Sequence, residues 1–206
     1  MVEIMSKTKK SGPAIFMYSV IIATIIIWVV CFSLYYGGTS STVVLWIGIV
    51  AFTIMYHFWV RIIMGNVSKL FKKHIHYKQW WFKERKFEKK LYKFLRVKEW
   101  KGRALTYNPE QFSLKENSLE TIVNTMTKSE VDHWINEIIS FTTMFFAIPW
   151  GVFWVFFISA LVAMIFDSQF IIIQRYNRPR VMKLLEKEEL KSKKENLKKE
   201  EIIVNV

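Results

Sequence analysis

The stretch "INEIISFTTMFFAIPWGVFWVFFISALVAMIFDSQFIII", Ile135 to Ile173, decides how the chain is folded. As a single helix its 39 residues would reach about 58 Å, roughly twice the hydrocarbon thickness of a bilayer. One straight crossing cannot use that length, so a bend is required. "AIPWG", with Pro149 and Gly151, is the natural place for it, because proline removes a backbone donor and glycine tolerates a reversed turn.

Two apolar runs precede it. Ala14 to Tyr36 gives 23 residues without a charge, enough to span a bilayer core. Gly37 and Gly38 end it, and Thr42 to Met64 makes a second span whose one charge, Arg61, lies near its end. Lys7, Lys9 and Lys10 in front of the first run resemble the start of a signal peptide. The run is too long for that, and "YYGGTSST" offers no small-x-small cleavage pattern, so a retained transmembrane helix is expected.

Composition agrees. Of 206 residues 52% are hydrophobic and 17% aromatic, yet the formal net charge is +13. Long apolar runs beside dense basic segments mark an integral membrane protein with cytosol-facing loops. Seven glycines and four prolines leave little room for a β-rich or linker-rich design. Cys31 is the lone cysteine, so no disulfide forms within the chain.

Lysine and arginine cluster at the N-terminus, from Lys69 to Arg103, and from Arg175 onward. The positive-inside rule places all of these clusters in the cytoplasm, which requires an even number of crossings between them. The expected fold is therefore an all-α polytopic membrane protein of about four membrane segments, in two hairpins, plus a cytoplasmic amphipathic helix region. Both termini are expected in the cytoplasm. Trp134 to Ile148 is short, and either crosses or re-enters. The expected divisions are an N-terminal membrane hairpin (1–64), a basic interfacial region (65–132), a C-terminal hairpin with a polar interfacial site (133–180) and a charged tail (181–206).

In "QWWFKERKFEKKLYKFLRV", Trp80, Glu84, Phe87, Leu91 and Phe94 recur at spacings of three and four. That pattern predicts one interfacial helix lying on an anionic leaflet. Its basic remainder either anchors the loop or holds a charged substrate. The tail "LLEKEELKSKKENLKKEE" reads as a fraying helix or a disordered segment with no chemistry.

Two stretches concentrate polar groups. In "TKSEVDHWINEI", Glu130, His133 and Glu137 are spaced three and four apart and share a helix face. A histidine oriented by a carboxylate is a general base for a hydroxyl nucleophile, although such spacing also occurs on ordinary interfacial helices. Glu-x-x-His is half of a di-iron motif, but no second copy exists and the histidines number four: His57, His74, His76 and His133. No metal is expected; His74 and His76 with His133 are the alternative set. His57 lies inside the second span, as a functional group or as a neutral imidazole bonded to a neighbouring helix. In "QRYNRPR", Gln174, Arg175, Tyr176, Asn177, Arg178 and Arg180 gather around a turn expected from Asn177 and Pro179. Guanidinium forks suit phosphates and carboxylates, whereas lysine would serve a plain membrane anchor equally well. Asp167 is expected to pair with one of these arginines.

"SEVDHW", "VKEWKGRAL" and "IIIQRYNRPR" resemble the signature segments of the glycosyl-4,4'-diaponeurosporenoate acyltransferase family, over roughly Tyr77 to Leu184. These are small bacterial membrane enzymes of staphyloxanthin-type carotenoid biosynthesis that esterify a sugar hydroxyl with a fatty acyl chain. The resemblance implies a catalytic pair, Glu130 and His133. It also implies substrate-binding roles for Trp134, Arg175, Tyr176, Asn177, Arg178 and Arg180, with Pro179 in the same motif. Thr106 to Asn124 follows no shared pattern, so the acceptor stays open: a lipid, a glycolipid or a glycosylated carotenoid.

Together these readings place an acyl chain among membrane helices, lined by Phe145, Phe146, Trp154, Phe156 and Phe157. Acyl-CoA or acyl carrier protein would present the thioester at the cytoplasmic face of a bacterial cell membrane. His133 would take the acceptor's proton, and Arg175 or Asn177 would hold the oxyanion, worth roughly 3 kcal/mol per well-placed donor. The expected partners are membrane lipids and the acyl carrier, with no nucleic acid, no metal and no further cofactor. A non-enzymatic membrane scaffold or lipid-binding assembly factor is the competing class. A membrane methyltransferase or reductase ranks third, since none of its motifs is present.

Overall fold

The computed structural model describes residues 12–104 and 109–204, and all regular structure among them is helical. Lys7, Lys9 and Lys10, Leu105 of "VKEWKGRAL" and the start of the Thr106 to Asn124 stretch lie outside the described residues.

Helix α1 (Gly12–Leu34) runs into a π-helical turn, Tyr35–Thr39, and α2 (Thr42–Phe71) follows. Gly38 in that turn has φ 117°, a conformation open to glycine and costly for most other residues. Next come α3 (Lys86–Phe94), α4 (Val97–Trp100), α5 (Leu119–Thr142), α6 (Ala147–Trp150) and α7 (Phe153–Val204), the last 52 residues long. Among the described residues, three stretches are long and apolar enough to cross a membrane: Ile15–Thr39, Thr42–Ser68 and Phe153–Glu200. Trp134 to Ile148 is not one of them. It comprises the end of α5, a 3-10 turn at Thr143–Phe146 and the start of α6. The bend falls at Gly151, whose φ of 70° closes α6 through an N–H bond to the Ala147 carbonyl at 2.7 Å.

Two expectations change here. "QRYNRPR" is not a turn: α7 passes straight through it with Pro179 inside the helix. Proline there removes the bond to the carbonyl four residues back, and the helix continues on both sides of the gap. Second, the expected interfacial helix is broken. Trp80–Phe82 is a 3-10 turn, Lys83 and Arg85 are extended, and only Lys86–Phe94 is α-helical. The helical part keeps its outward apolar face, Phe87, Leu91 and Phe94. The charged tail takes the helical one of its two expected readings as far as Val204, and its side chains are exposed from Glu186 to Glu200.

The chain divides into two compact units. The first comprises residues 12–68 and 135–167. Gly48 lets α2 approach α1 closely, since a Cβ there would lie 2.6 Å from the Phe32 ring. Around this contact Phe52 packs on Trp28, Phe146 and Trp150 at ring distances of 5.5, 5.1 and 5.2 Å. Phe156, fully buried, stacks on Trp150. Phe156 is therefore a core residue with half-buried Phe146 against it, while Phe145 and Trp154 are exposed and Phe157 stacks on Phe153.

A buried charge pair lies in this unit. Arg61 forms an ion pair with the buried Asp167, and Arg61 Nη1 also donates to the His57 carbonyl at 2.6 Å. Asp167 was expected to meet an arginine of "QRYNRPR"; it meets one from α2 instead. The His57 imidazole is buried with no hydrogen bond at either ring nitrogen, so the expected bond to a neighbouring helix is not made.

Candidate active site

The second unit comprises residues 69–104, 109–134 and 168–204, and its apolar interior encloses a cluster of charged side chains. On α7, Ile171, Gln174 and Arg178 fall three and four residues apart and are all buried, with Arg175 beside them. Glu130 of α5 and Glu88 of α3 supply the countercharges.

Glu130 gives one carboxylate oxygen to each arginine. Arg175 Nη1 lies 2.6 Å from Oε1 and Arg178 Nη1 lies 2.5 Å from Oε2. Glu88 Oε1 accepts from Arg175 Nε and Nη2 at 2.9 and 2.6 Å, a forked contact on one oxygen. Its Oε2 accepts from the Tyr92 hydroxyl at 2.8 Å. Carbonyls complete the set: Trp81 and Lys83 accept from Arg175 at 3.2 and 3.3 Å, and Phe82 accepts from Arg178 at 2.9 Å.

Those carbonyls explain the broken helix. In a continuous helix each would bind an amide four residues on; at the end of the 3-10 turn and in extended Lys83 they are free to take guanidinium protons. Burying Arg178, most of Arg175 and two glutamates costs desolvation that direct pairing must offset, and here nearly every donor has an acceptor. Arg178 Nε is the exception; it is buried with no hydrogen-bond partner, in a guanidinium whose Cζ lies 5.1 Å over the Phe82 ring centre.

This arrangement divides the expected anion site. Arg175 and Arg178 bond to protein acceptors, whereas Arg180 is exposed, with its guanidinium 3.7 Å over the Tyr176 ring. Asn177 accepts from Lys101 Nζ at 2.7 Å, and the same ammonium lies 4.8 Å over Tyr176. Burial, then the nearby Arg180, pushes the Lys101 ammonium below its ordinary value. Burial and the bond to Glu88 push the Tyr92 hydroxyl up, so it stays a neutral donor.

His133 is half-buried on α5, three residues after Glu130, with its ring stacked on Phe170 at 4.7 Å and 11°. Trp134 meets Trp81 edge-on at 6.4 Å. Among the described residues no group of three His, Cys, Asp or Glu side chains is arranged to hold a metal. Glu88 is the member that sequence reading missed. It sits in a lysine-rich stretch that looks wholly solvated, and its one signal is Tyr92 a turn later.

A family model for glycosyl-4,4'-diaponeurosporenoate acyltransferase matches residues 78–187, just over half of the 206-residue chain and the segment that carries this network. The chain belongs to this acyltransferase family. Neither the curated proteins nor the solved structures give a match. The family match covers both glutamates, Arg175 and Arg178, His133 and the Arg180–Tyr176 stack. In this acyltransferase, α1 and α2 lie wholly outside the matched segment.

Proposed function

We propose that this protein is a membrane-bound O-acyltransferase. It moves a fatty acyl chain from a carrier thioester, acyl-CoA or acyl carrier protein, to a hydroxyl of a lipid or glycolipid acceptor. The family's description suggests a glycosylated carotenoid as that acceptor. The observation that carries this reading is the family match over the segment holding His133 and the arginine–glutamate network.

In this reading His133 is the general base. The acceptor O–H loses its proton to the imidazole as oxygen attacks the thioester carbonyl. The tetrahedral oxyanion collapses, the C–S bond breaks, and the leaving thiolate takes the proton back from the imidazolium. Stacking on Phe170 limits how the ring can turn, so its orientation is set before substrate arrives. Glu130 acts as a positioning residue: by holding Arg175 and Arg178 it ties α5 to α7 beside the base. Asn177 and Trp134 are the proposed substrate contacts near this face. The apolar stretches would keep acyl chain and acceptor in the bilayer.

The test uses the full chain in nanodiscs with labelled acyl-CoA or acyl carrier protein and lipid extract containing the acceptor. Release of free thiol matched by label in an ester, and lost in His133→Ala, supports the reading. Thiol release unchanged in His133→Ala removes the base assignment.

A further inference from the structure

With Arg175 and Arg178 occupied inside the fold, the basic groups open to a ligand are elsewhere in the second unit. A groove of about 480 Å³ is lined by Lys89, Lys93, Arg96, Lys98, Arg180 and Lys183, with Glu84 and Glu99 as its acidic members. Lys89 pairs with Glu84 at 3.7 Å. Among the described residues, no carboxylate lies within ion-pair distance of Lys93, Arg96, Lys98 or Lys183. A size of this order suits a small molecule rather than the face of a protein.

The backbone is shaped to keep the groove. At about 100° per residue, α3 has separate faces: Phe87, Leu91 and Phe94 in one direction, Glu88 and Tyr92 towards the interior, and Lys89 with Lys93 along the groove. Arg96, between α3 and α4, has φ 49°, in the left-handed region that favours glycine. An arginine held in that conformation at the groove's rim, where a glycine would be cheaper, indicates that its charge is wanted there. Across the groove Tyr176, Arg180 and Lys183 follow one another along one side of α7, and Tyr176 supports the Arg180 guanidinium from beneath.

The geometry points to a phosphate-binding groove, taking the phosphate ester of either the nucleotide end of a coenzyme A thioester or an anionic lipid headgroup. Guanidinium forks and clustered ammonium groups share this chemistry, and both sources supply it. That the phosphate belongs to the acyl donor rests on the acyl-transfer reading; that the groove binds phosphate does not.

The full chain is placed in phosphatidylcholine nanodiscs and titrated with coenzyme A, and in a second arm the discs carry phosphatidylglycerol and retained lipid is read by native mass spectrometry. Lys93→Ala with Lys183→Ala, both exposed, should weaken binding of one probe about tenfold or more and flatten its salt dependence. Coenzyme A affected identifies the donor; phosphatidylglycerol affected identifies the headgroup. Arg96→Gly should hold or raise the melting temperature and still weaken binding, which a merely structural role would not do. Neither probe changing in these variants overturns the groove. Groove-dependent binding by a protein that makes no ester overturns the acyl-transfer reading and leaves the groove standing.

Discussion

Arg178 Nη1 lies 2.5 Å from Glu130 Oε2, with the two side chains 1% and 0% exposed. No solvent screens this contact, so its parts are not interchangeable with water. Arg178→Ala leaves a buried carboxylate short of one partner and should cost about 3–5 kcal/mol of stability. Arg178→Lys keeps the charge but cannot reach both Glu130 and the Phe82 carbonyl in the same fork, and should cost about 1–3 kcal/mol. Thermal unfolding in detergent measures both. An Arg178→Lys protein as stable as the wild type would contradict the buried-fork account.

Tyr92→Phe should cost about 1–3 kcal/mol, the worth of a hydrogen bond to a charged group. The sign with pH follows from the direction of the shift. The folded hydroxyl titrates above its ordinary value of 10.0, so its contribution is complete below that pH. It is lost as the pH rises from 10 towards the folded value. The stability gap between wild type and Tyr92→Phe should therefore be constant from pH 7 to 9 and narrow in stronger alkali. A gap that widens there would reverse the assignment.

The Arg61–Asp167 pair lies within apolar stretches, where an unpaired charge is costly. Arg61→Leu or Asp167→Leu alone should destabilise by about 3 kcal/mol or more, and the double substitution by much less than their sum. Strict additivity in unfolding measurements would mean the two charges do not stabilise each other.

Gly48→Val should loosen α1 from α2, because a Cβ there overlaps the Phe32 ring and sits 3.1 Å from Cys31 Cβ. A loss of about 1–3 kcal/mol is expected, with Cys31 becoming faster to react with a membrane-permeant thiol reagent. Unchanged labelling would place the close approach elsewhere.

Helix type, the two early apolar stretches and the bend at Gly151 were legible because they rest on local properties: length without charge, and a glycine where the chain turns back. The route through "QRYNRPR" was not legible. Pro179 signals a turn locally, but the pairing of Arg175 and Arg178 with Glu88 and Glu130 keeps α7 continuous around it. The same pairing breaks the helix expected at Trp80, since the guanidinium groups take carbonyls that a helix would need. Glu130, His133 and the arginines stood out by residue type and spacing. Which arginine faces inward depends on partners 45 to 96 residues away in the chain, and no local pattern carries that.

Acyl transfer itself is tested most directly by the lipids. Bacterial membranes holding the acceptor, with wild type or His133→Ala expressed at matched levels, are extracted and compared by untargeted mass spectrometry. The account predicts a species, present with the wild type and absent with His133→Ala, heavier than a membrane lipid or glycolipid by one fatty acyl residue. The same acylated species at equal abundance in both would contradict it.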